Sequence, residues 1–432
     1  MNHTTILLVG HGSREDTGNQ EIRDFVDQWR ARQPAWRIEV CFIEFAAPSL
    51  HDGLLAAAQS SRRVLVLPLI LNAAGHAKME IPEAIEHARG HAPDVEFLYG
   101  PHLSACDPIL AILKRRLRQL EAQGRLTGVI ELVPVANPVG LGQMFQATHQ
   151  GRFEMASGKN FNRDFFALAA AIAPALEGCL GSDGPSNVRL IRAAMQAALE
   201  ALPPAGSELQ GMQRLLLKHA CDADVVLDLH CDFDAAVHLY LLPQQWPQLR
   251  SLAARLQAGA ALTVEDSGGS SFDEACALPW VHLARHFPQA AVPLACLAVT
   301  VELGGMADTG KPEAEASAES ILAFLAEQGL IAGDWPPAPA ESCDATPFDG
   351  AQYAYAPHAG VVSFLQPVGA WVKAGDPLFE VIDPLDDRHT TVCAVTDGVL
   401  YARERLRFAQ PGLWLAKVAG RTPIRQGRLL SD

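Results

Sequence analysis

Short apolar runs alternate with amphipathic stretches along the first 120 residues. Ile6 to Val9 is a continuous apolar run with β-branched ends, which is typical of a strand buried on both faces. Further strands are predicted at 37–45, 64–71 and 95–99, and helices at 20–33, from Ser49 as N-cap through Gln59, and at 107–123. Strands and helices that alternate four times predict a doubly wound parallel sheet.

Three potential metal ligands follow the predicted strands. The first strand ends at Gly10, so His11 is expected at the carboxyl edge of the sheet, where open α/β folds bind ligands. Glu44 lies at the carboxyl end of the second predicted strand, and His76 follows the third. Two imidazoles and a carboxylate suit a divalent ion such as Co²⁺, Fe²⁺ or Ni²⁺. The alternative is that Glu44 is a helix-start charge and the histidines are ordinary loop residues.

Composition narrows the class of protein. Of 432 residues, 49% are hydrophobic and 19% are charged, and the net charge of −15 is dispersed, which argues against a nucleic-acid surface. No apolar run approaches the roughly 20 residues of a membrane span, and the amino terminus lacks a basic region, so a cytoplasmic protein is expected. Nine scattered cysteines without a CxxC pair predict reduced, buried thiols.

The motifs GHGSR, FIEFAAPSL and LPLILNAAGHAKMEIP resemble the class II chelatases of the sirohydrochlorin cobaltochelatase and ferrochelatase type, over roughly residues 1–120. The resemblance implies that His11 and His76 hold the incoming metal and accept the pyrrole protons, with Glu44 as a further ligand. Neutral imidazoles suit both tasks because they bind borderline metals and titrate near neutrality. Glu80 stands where the family often has Asp.

The expected substrate carries many carboxylates, so cations should line its cleft. The candidates are Arg14, Lys78, Arg62 and Arg63. Arg62 and Arg63 have an alternative interpretation as solvated charges at the end of a helix.

A second set of motifs follows residue 124. Strands are predicted at 129–135 and 299–305, and a helix at 186–201. VPVANP, NFNRDF, LDLHCD and TVELGG resemble, in order and spacing, the succinylglutamate desuccinylase/aspartoacylase family of the zinc carboxypeptidase clan, over most of residues 125–422. The resemblance implies that His230 binds zinc, that Asn162 and Arg163 grip the substrate carboxylate, and that Glu302 is the general base.

One part of that family's zinc site departs from the pattern. Working members carry a His-x-x-Glu pair, because catalytic zinc takes three protein ligands and a water. The corresponding residues here are His102-Leu103-Ser104-Ala105, and the nearest carboxylate is Asp107. Either the hydrolase has become a pseudoenzyme or binding module, or another ligand set serves; a metal held by His230 with His102 is one form of the second alternative.

The carboxyl-terminal region follows a proline-rich linker at 336–340 and alternates short strands with glycine turns. It resembles a biotinyl/lipoyl hammerhead, without the Met-Lys tip that carries a cofactor. His358 and Tyr401 could reach the hydrolase cleft. The predicted domains are therefore a chelatase-like doubly wound sheet (1–123), a zinc-carboxypeptidase-like α/β domain (124–335) and a small β module (336–432).

The leading hypothesis is a metal chelatase, a lyase that takes Co²⁺, Fe²⁺ or Ni²⁺ and a tetrapyrrole as substrates, fused to a hydrolase-like domain with an incomplete site for Zn²⁺. The first alternative is a zinc-dependent amidohydrolase acting on N-acyl amino acids, with the first domain as scaffold. The second is a non-catalytic metal carrier that uses His11, Glu44 and His76. No nucleic-acid or membrane partner is expected; the metal, the tetrapyrrole, the acyl substrate and the formation of a homo-oligomer stay open.

Overall fold

The computed structural model describes residues 4–69, 80–99, 108–145, 148–427 and 429. The described helices are α1 (Asp16–Arg32), α2 (Leu50–Ser60), α3 (Ile81–His91), α4 (Pro108–Ala122), α5 (Pro138–Leu141), α6 (Leu168–Leu176), α7 (Gly184–Glu200), α8 (Glu208–Ala220), α9 (Trp246–Arg255), α10 (Phe272–His286) and α11 (Lys311–Glu327).

The described strands are β1 (Thr4–Gly10), β2 (Arg37–Phe42), β3 (Arg63–Pro68), β4 (Glu96–Tyr99), β5 (Met144–Phe145), β6 (Thr148–His149), β7 (Val225–Asp232), β8 (Asp234–Ala235), β9 (His238–Leu241), β10 (Ala260–Thr263), β11 (Leu297–Gly305), β12 (Ala345–Pro347), β13 (Gln352–Tyr355), β14 (Gly360–Phe364), β15 (Trp371–Val372), β16 (Pro377–Asp383), β17 (Arg388–Cys393), β18 (Gly398–Arg403), β19 (Phe408–Ala409) and β20 (Trp414–Gly420). They belong to two compact units, residues 1–107 with 137–151 and residues 108–136 with 152–432.

The first unit contains a parallel sheet in the order β2-β1-β3-β4. Successive residues of β1 are buried in different clusters: Leu7 and Val9 pack with α2 and α3, whereas Ile6 and Leu8 pack with Val26 of α1. Because side chains alternate between the faces of a strand, β1 is covered on both sides. The predicted doubly wound sheet is confirmed.

Predicted element boundaries in this unit differ by a few residues. Helix α1 begins at Asp16, four residues before the predicted start, and β2 ends at Phe42 rather than at Phe45. Phe45 has a φ of +57°, which a strand does not accommodate. The Ser49 cap is confirmed, since its side chain accepts a hydrogen bond from the amide of Asp52.

The second unit is built on a sheet in the order β12-β10-β9-β11-β7. β11 pairs with β7 in parallel and with β9 in antiparallel orientation. One apolar cluster contains side chains of α4, α9 and α11, and another contains side chains of α6, α7, α8 and α10. The sheet therefore has a helical layer on each face, as expected for the α/β domain.

Helix α4 packs within the second unit, although the sequence analysis assigned it to the first domain. Its Arg116 Nε donates to Glu319 Oε1 of α11 at 2.8 Å, and its apolar residues Ile112, Leu113 and Leu120 join the cluster beneath α11. The predicted boundary at residue 123 stays a prediction.

The predicted strand at 129–135 is not formed. These residues are irregular; Val129 is 94% exposed, while Ile130 and Leu132 pack against the core. A strand needs a partner for its backbone groups, and the bridge described nearby is the single pair Leu126–Ile331. The alternation of apolar side chains at 129–135 therefore reflects burial of one side of an irregular segment, and not pairing with a neighbouring strand.

The carboxyl-terminal region forms two antiparallel sheets, β13-β20-β18-β15 and β17-β16-β14-β19. Before them, β12 adds to the central sheet beside β10, and β8 pairs with β18. The predicted β-rich module is thus present, and its strands are joined to the α/β part of the second unit.

Two further expectations concern the membrane and the cysteines. No helix in the described ranges is long and apolar enough to cross a membrane. The described cysteines are all free thiols, as predicted, but Cys179 and Cys231 are exposed rather than buried.

Candidate functional sites

The carboxyl edge of the first sheet brings together two of the three predicted chelatase ligands. β1 and β2 are paired up to Gly10 and Phe42. The main-chain bonds continue past the strands, because the amide of Ile43 donates to Gly10 O and the amide of Glu44 donates to His11 O, both at 3.0 Å. His11 and Glu44 are therefore backbone neighbours at the edge where open sheets bind ligands.

The loop after His11 is held in place by its backbone. Gly12 has a φ of +89°, and a Cβ there would lie 1.7 Å from Glu44 O, so no larger residue fits. The amide of Ser13 donates to Asn19 Oδ1 and Asn19 Nδ2 donates to Ser13 O, each at 2.8 Å. Because Asn19 is buried, this two-point contact fixes the loop to the start of α1.

A positively charged side chain, that of Arg14, belongs to the same loop. The Arg14 guanidinium is 4.8 Å from the centroid of the Phe45 ring, a distance typical of a cation–π contact. Both side chains are exposed. An exposed imidazole, a half-buried carboxylate and an arginine on an aromatic face can together receive a cation and a planar acidic molecule.

The sequence predicted four other site residues. His76, Lys78 and the His102 of the predicted zinc site lie outside the described residues. Glu80 is the exposed residue that precedes α3.

Arg62 and Arg63 stand at the amino end of β3, whereas His11 follows the carboxyl end of the parallel strand β1. Arg63 pairs there with Glu96, with Nε 2.6 Å from Oε2. The expectation that these two arginines line the cleft beside His11 is therefore wrong.

In the second unit, His230 and Glu302 are paired residues of adjacent parallel strands, β7 and β11. His230 Nε2 lies 2.7 Å from Asp228 Oδ2. Glu302 Oε2 is buried and, among the described residues, has no hydrogen-bond partner. A carboxylate oxygen in that situation is costly and is typical of a functional group.

The electrostatics of this site follow from burial and from crowded carboxylates. Burial lowers the pKa of His230, but the carboxylate of Asp228, with smaller contributions from Glu302 and Asp273, raises it above its usual value. Burial raises the pKa of Glu302, although His230 opposes this. Burial also raises the pKa of Asp273 to about 7. Burial thus shifts the pKa values of the Glu302 and Asp273 carboxyl groups toward neutral pH, a perturbation that is common at acid–base sites.

The turn with Asn162 and Arg163 is fixed from below. Gln213 Nε2 donates to Phe161 O at 3.1 Å and to Arg163 O at 2.7 Å. The amide of Phe272, at the start of α10, donates to Asn162 Oδ1 at 2.8 Å. Because Oδ1 of Asn162 accepts this bond, its Nδ2 is the atom that can donate to a substrate carboxylate.

Strands of the β module reach the same sheet. Lys417 Nζ of β20 lies 2.7 Å from Asp232 Oδ2 at the end of β7, and both side chains are buried. Tyr401 is fully buried, with its ring 4.9 Å from that of His238. Of the two module residues named from the sequence, Tyr401 therefore packs on β9, whereas His358 Nε2 lies 2.9 Å from Thr390 Oγ1 within the module.

The sequence profile of the succinylglutamate desuccinylase/aspartoacylase catalytic domain matches residues 109–328, just over half of the chain. The chain belongs to the succinylglutamate desuccinylase/aspartoacylase family. The CbiX profile matches residues 5–120, so this family member carries an amino-terminal CbiX domain. The two matches overlap at residues 109–120, within α4, so both profiles include part of that helix.

A solved structure supports the same assignment. The chain is 27% identical to a succinylglutamate desuccinylase/aspartoacylase family protein from Shewanella amazonensis SB2B, with a TM-score of 0.62, over 72% of this chain and 86% of that one. The fold class predicted for the second domain is confirmed.

Relatives of the CbiX domain are named for metal insertion. The chain is 37% identical over 134 residues to a sirohydrochlorin cobaltochelatase from Priestia megaterium. It is 33% identical over 129 residues to a sirohydrochlorin ferrochelatase from the same organism. Each match covers 30% of this chain. The matched regions are 43% of the cobaltochelatase and 48% of the ferrochelatase, so this chain spans less than half the length of these relatives.

The family implies zinc in the second domain, and the described residues do not complete a site for it. Zinc needs three protein donors. His230, oriented by Asp228, suits one of them, but within the described ranges no three His, Cys, Asp or Glu side chains are arranged to hold a metal ion. The turn with Asn162 and Arg163 and the buried carboxyl group of Glu302 are thus present without a full set of zinc ligands among the described residues.

Asp228, Asp232, Asp273 and Lys417 of the second site were not predicted from the sequence. Asp228 and Asp232 stand two positions from His230 in LDLHCD, and residues two apart share a face of a strand, so both could have been found. Lys417 is the lone charge in the apolar strand WLAKVAG. A buried lysine needs an acidic partner, but the sequence does not reveal that this partner is Asp232.

Proposed function

We propose that the CbiX domain inserts a divalent metal ion, Co²⁺ or Fe²⁺ with Ni²⁺ as the third choice, into a sirohydrochlorin-like tetrapyrrole. The observation that carries the proposal is the hydrogen bond between Glu44 N and His11 O, which keeps a carboxylate and an imidazole side by side at the ligand-binding edge. The names of the relatives, sirohydrochlorin cobaltochelatase and ferrochelatase, support the same reaction.

The chemistry needs a cation donor and a proton acceptor at the same place. The tetrapyrrole loses two N–H protons and gains one M²⁺, so the net charge of the macrocycle core is unchanged. Glu44 holds the ion before transfer, and His11 accepts a pyrrole proton. His76 is assigned to the metal and to the second proton because of the chelatase resemblance.

Substrate binding is assigned to charges around the edge. Arg14, presented on the face of Phe45, binds a peripheral carboxylate of the macrocycle, and Lys78 is assigned a second one. Glu80 keeps the carboxylate of the family motif near the start of α3. The exposed guanidinium of Arg14 should affect the KM for the tetrapyrrole more than kcat, because it contacts the substrate away from the reacting nitrogens.

The test is incubation of the full chain with sirohydrochlorin and Co²⁺ without oxygen, followed by absorption spectroscopy. His11→Ala and Glu44→Gln should each lower the insertion rate roughly 100-fold or more, as loss of a general base or ligand does. His219→Ala removes an exposed histidine of the second unit and should retain the rate. A His11→Ala/His76→Ala double variant with full activity would refute the assignment.

A second function is proposed for the family domain: recognition of an N-acyl amino acid through its carboxylate. Asn162 and Arg163 supply donors on a turn fixed by Gln213, and a guanidinium with an amide suits a carboxylate. The buried Oε2 of Glu302, which has no hydrogen-bond partner in the part of the chain that the structure describes, favours retention of a general base. Binding is the primary proposal, with hydrolysis impaired by the missing His-x-x-Glu glutamate.

A panel of N-acyl amino acids tests this by calorimetry and by amine release, with Zn²⁺ added or removed. Binding that is lost in Asn162→Ala but kept in Glu302→Gln supports a binding module. Amine release that depends on Glu302 would instead establish the amidohydrolase. If Co²⁺ binds but neither substrate reacts, the protein is a metal carrier and both catalytic proposals fail.

A further inference from the structure

Three histidines lie against one another on the surface of the first unit, on helices rather than at the sheet edge. The rings of His51, in the first turn of α2, and His87, in α3, have centroids 4.4 Å apart. The ring of His91, one helical turn after His87, is also 4.4 Å from that of His87. All three side chains are exposed.

The helices that carry the histidines are firmly packed. Leu54 of α2 and Ile81, Ile85 and Ala88 of α3 are buried in one cluster with the sheet. His51 lies one helical turn before Leu54, and His87 directly precedes Ala88. The backbones of both histidines are therefore held in place by buried neighbours. A rigid base with exposed side chains is the arrangement that a surface ligand set requires.

The spacing and the hydrogen bonds suit metal coordination. Residues four apart lie on the same helix face, and two histidines at this spacing form one half of the helical zinc motif HExxH. His91 Nδ1 is 2.9 Å from His87 O. Because a carbonyl oxygen accepts, Nδ1 carries the proton, and Nε2 of His91 keeps its lone pair.

The imidazole of His87, which contacts the other two rings, is shifted toward its neutral form. Partial desolvation, together with the positive charges that His91 and His51 carry when protonated, lowers the pKa of His87. The neutral imidazole is the form that binds metal. Neighbouring charges on α3 include Glu83, one turn before His87, and Glu86, which pairs with Arg89.

In the structure the rings pack on one another and do not surround a common point, consistent with the absence of a preformed three-ligand group among the described residues. Rotation about χ1 and χ2 is required to turn the nitrogens toward one ion. Exposed side chains exchange between staggered rotamers within nanoseconds, so the three rings are free to turn toward a bound ion.

We propose that His51, His87 and His91 together bind a divalent first-row metal ion of the borderline class, such as Co²⁺, Ni²⁺ or Zn²⁺. Three imidazoles suit these ions and disfavour Mg²⁺ and Ca²⁺, which take oxygen ligands. The site is separate in sequence from His11 and Glu44, and binding there does not depend on metal insertion. A role as a store of substrate ion would rest on the proposed chelatase function.

The experiment uses the full chain and Co²⁺ as the probe. Equilibrium dialysis counts bound Co²⁺, and diethylpyrocarbonate modification followed by mass spectrometry reports which histidines the ion protects. The test variant is His51→Gln/His87→Gln/His91→Gln. The matched control is His219→Gln/His286→Gln/His389→Gln, which replaces three exposed histidines that each lie beside a carboxylate.

The cluster variant should lose one equivalent of Co²⁺, and the control variant should lose none. Co²⁺ should slow modification of the three cluster histidines at least several-fold in wild type and in His11→Ala/Glu44→Gln alike. The proposal is overturned if the cluster variant binds as much Co²⁺ as wild type, or if Co²⁺ leaves the three histidines equally reactive. If only the chelatase proposal is wrong, no metal insertion will be observed, but Co²⁺ will still protect the three cluster histidines.

Discussion

The amide of Glu44 donates to the carbonyl oxygen of His11 at 3.0 Å, just beyond Gly10 and Phe42, the last paired residues of β1 and β2. The contact is possible because Gly12 has no side chain: a Cβ there would fall 1.7 Å from Glu44 O. The position of His11, the proposed proton acceptor, relative to Glu44, the proposed metal ligand, therefore depends on Gly12, which has no functional side chain.

Replacement of Gly12 should accordingly separate His11 from Glu44. At a φ of +89°, Gly12→Ala costs about 1–2 kcal/mol for the backbone alone, and the clash displaces the loop. Insertion of Co²⁺ into sirohydrochlorin should fall more than 10-fold, with a small decrease in Tm. The measurement is the insertion rate together with a thermal melt.

Gly18→Ala is the matched control. Gly18 lies in α1, and its added Cβ would meet Ser13 Cβ at 3.8 Å, an ordinary contact. Alanine is favoured over glycine in a helix by about 0.5–1 kcal/mol, so this variant should be as active as wild type and no less stable. Equal rates in Gly12→Ala and wild type would show that the His11–Glu44 contact is not needed.

The sequence pattern predicted the end of β1, because an apolar run stopped by glycine marks the point where a buried strand leaves the core, but it placed the end of β2 three residues too late. Because parallel strands have their carboxyl ends at one edge of the sheet, His11 and Glu44 could still be assigned to the same edge. Contacts between distant segments were not predictable: Lys417 and Asp232 are 185 residues apart, and the pattern of α4 did not reveal that it packs against α11. At 129–135 the periodicity gave the buried face correctly, but periodicity does not report whether a partner strand exists.

The ion pair between Lys417 and Asp232 should be a strong stability determinant. Both side chains are buried, with Nζ 2.7 Å from Oδ2, so removing either partner leaves an uncompensated buried charge. Lys417→Met or Asp232→Asn should lower the free energy of unfolding by about 3–5 kcal/mol. Urea denaturation of each variant measures the change.

Two comparisons make this test specific. Lys417→Met/Asp232→Leu removes both charges and should recover much of the lost stability. Arg421→Met breaks the exposed pair of Arg421 with Asp344 and should change the free energy of unfolding by less than about 1 kcal/mol. Similar losses for Lys417→Met and Arg421→Met would contradict the burial argument.

Gln213 should support the carboxylate-binding turn without contacting a ligand. Its Nε2 donates to the carbonyl oxygens of Phe161 and Arg163, and Gln213→Leu leaves both without that donor. The expected loss of stability is about 1–3 kcal/mol, accompanied by weaker binding of N-acyl amino acids measured by calorimetry. Gln210→Leu, an exposed position on the same helix, should leave ligand affinity unchanged. An equal loss of affinity in Gln210→Leu would contradict the claim that Gln213 positions the turn.

His238 should make the folded state sensitive to mild acid. It is fully buried, its Nδ1 donates to Ala236 O at 2.8 Å, and its Nε2 is 4.0 Å from Asp232 Oδ2, beside Lys417 and Tyr401. Burial lowers the pKa of His238 from 6.5 to about 4. As the pH falls below 6.5, the unfolded chain takes up this proton before the folded protein does, so the stabilisation is complete above pH 6.5 and is lost progressively toward pH 4.

The total effect of this group amounts to about 3 kcal/mol, at 1.36 kcal/mol per pKa unit. His238→Gln keeps an amide donor for Ala236 O but has no titration in this range. Its free energy of unfolding should therefore depend less on pH between 6.5 and 4, by about 3 kcal/mol, than that of wild type. Urea titrations at several pH values measure both slopes, and carboxylate contributions common to the two proteins cancel in their difference. His286→Gln, at an exposed position, should keep the wild-type slope, whereas a wild-type slope in His238→Gln would show that His238 is not the group held neutral by burial.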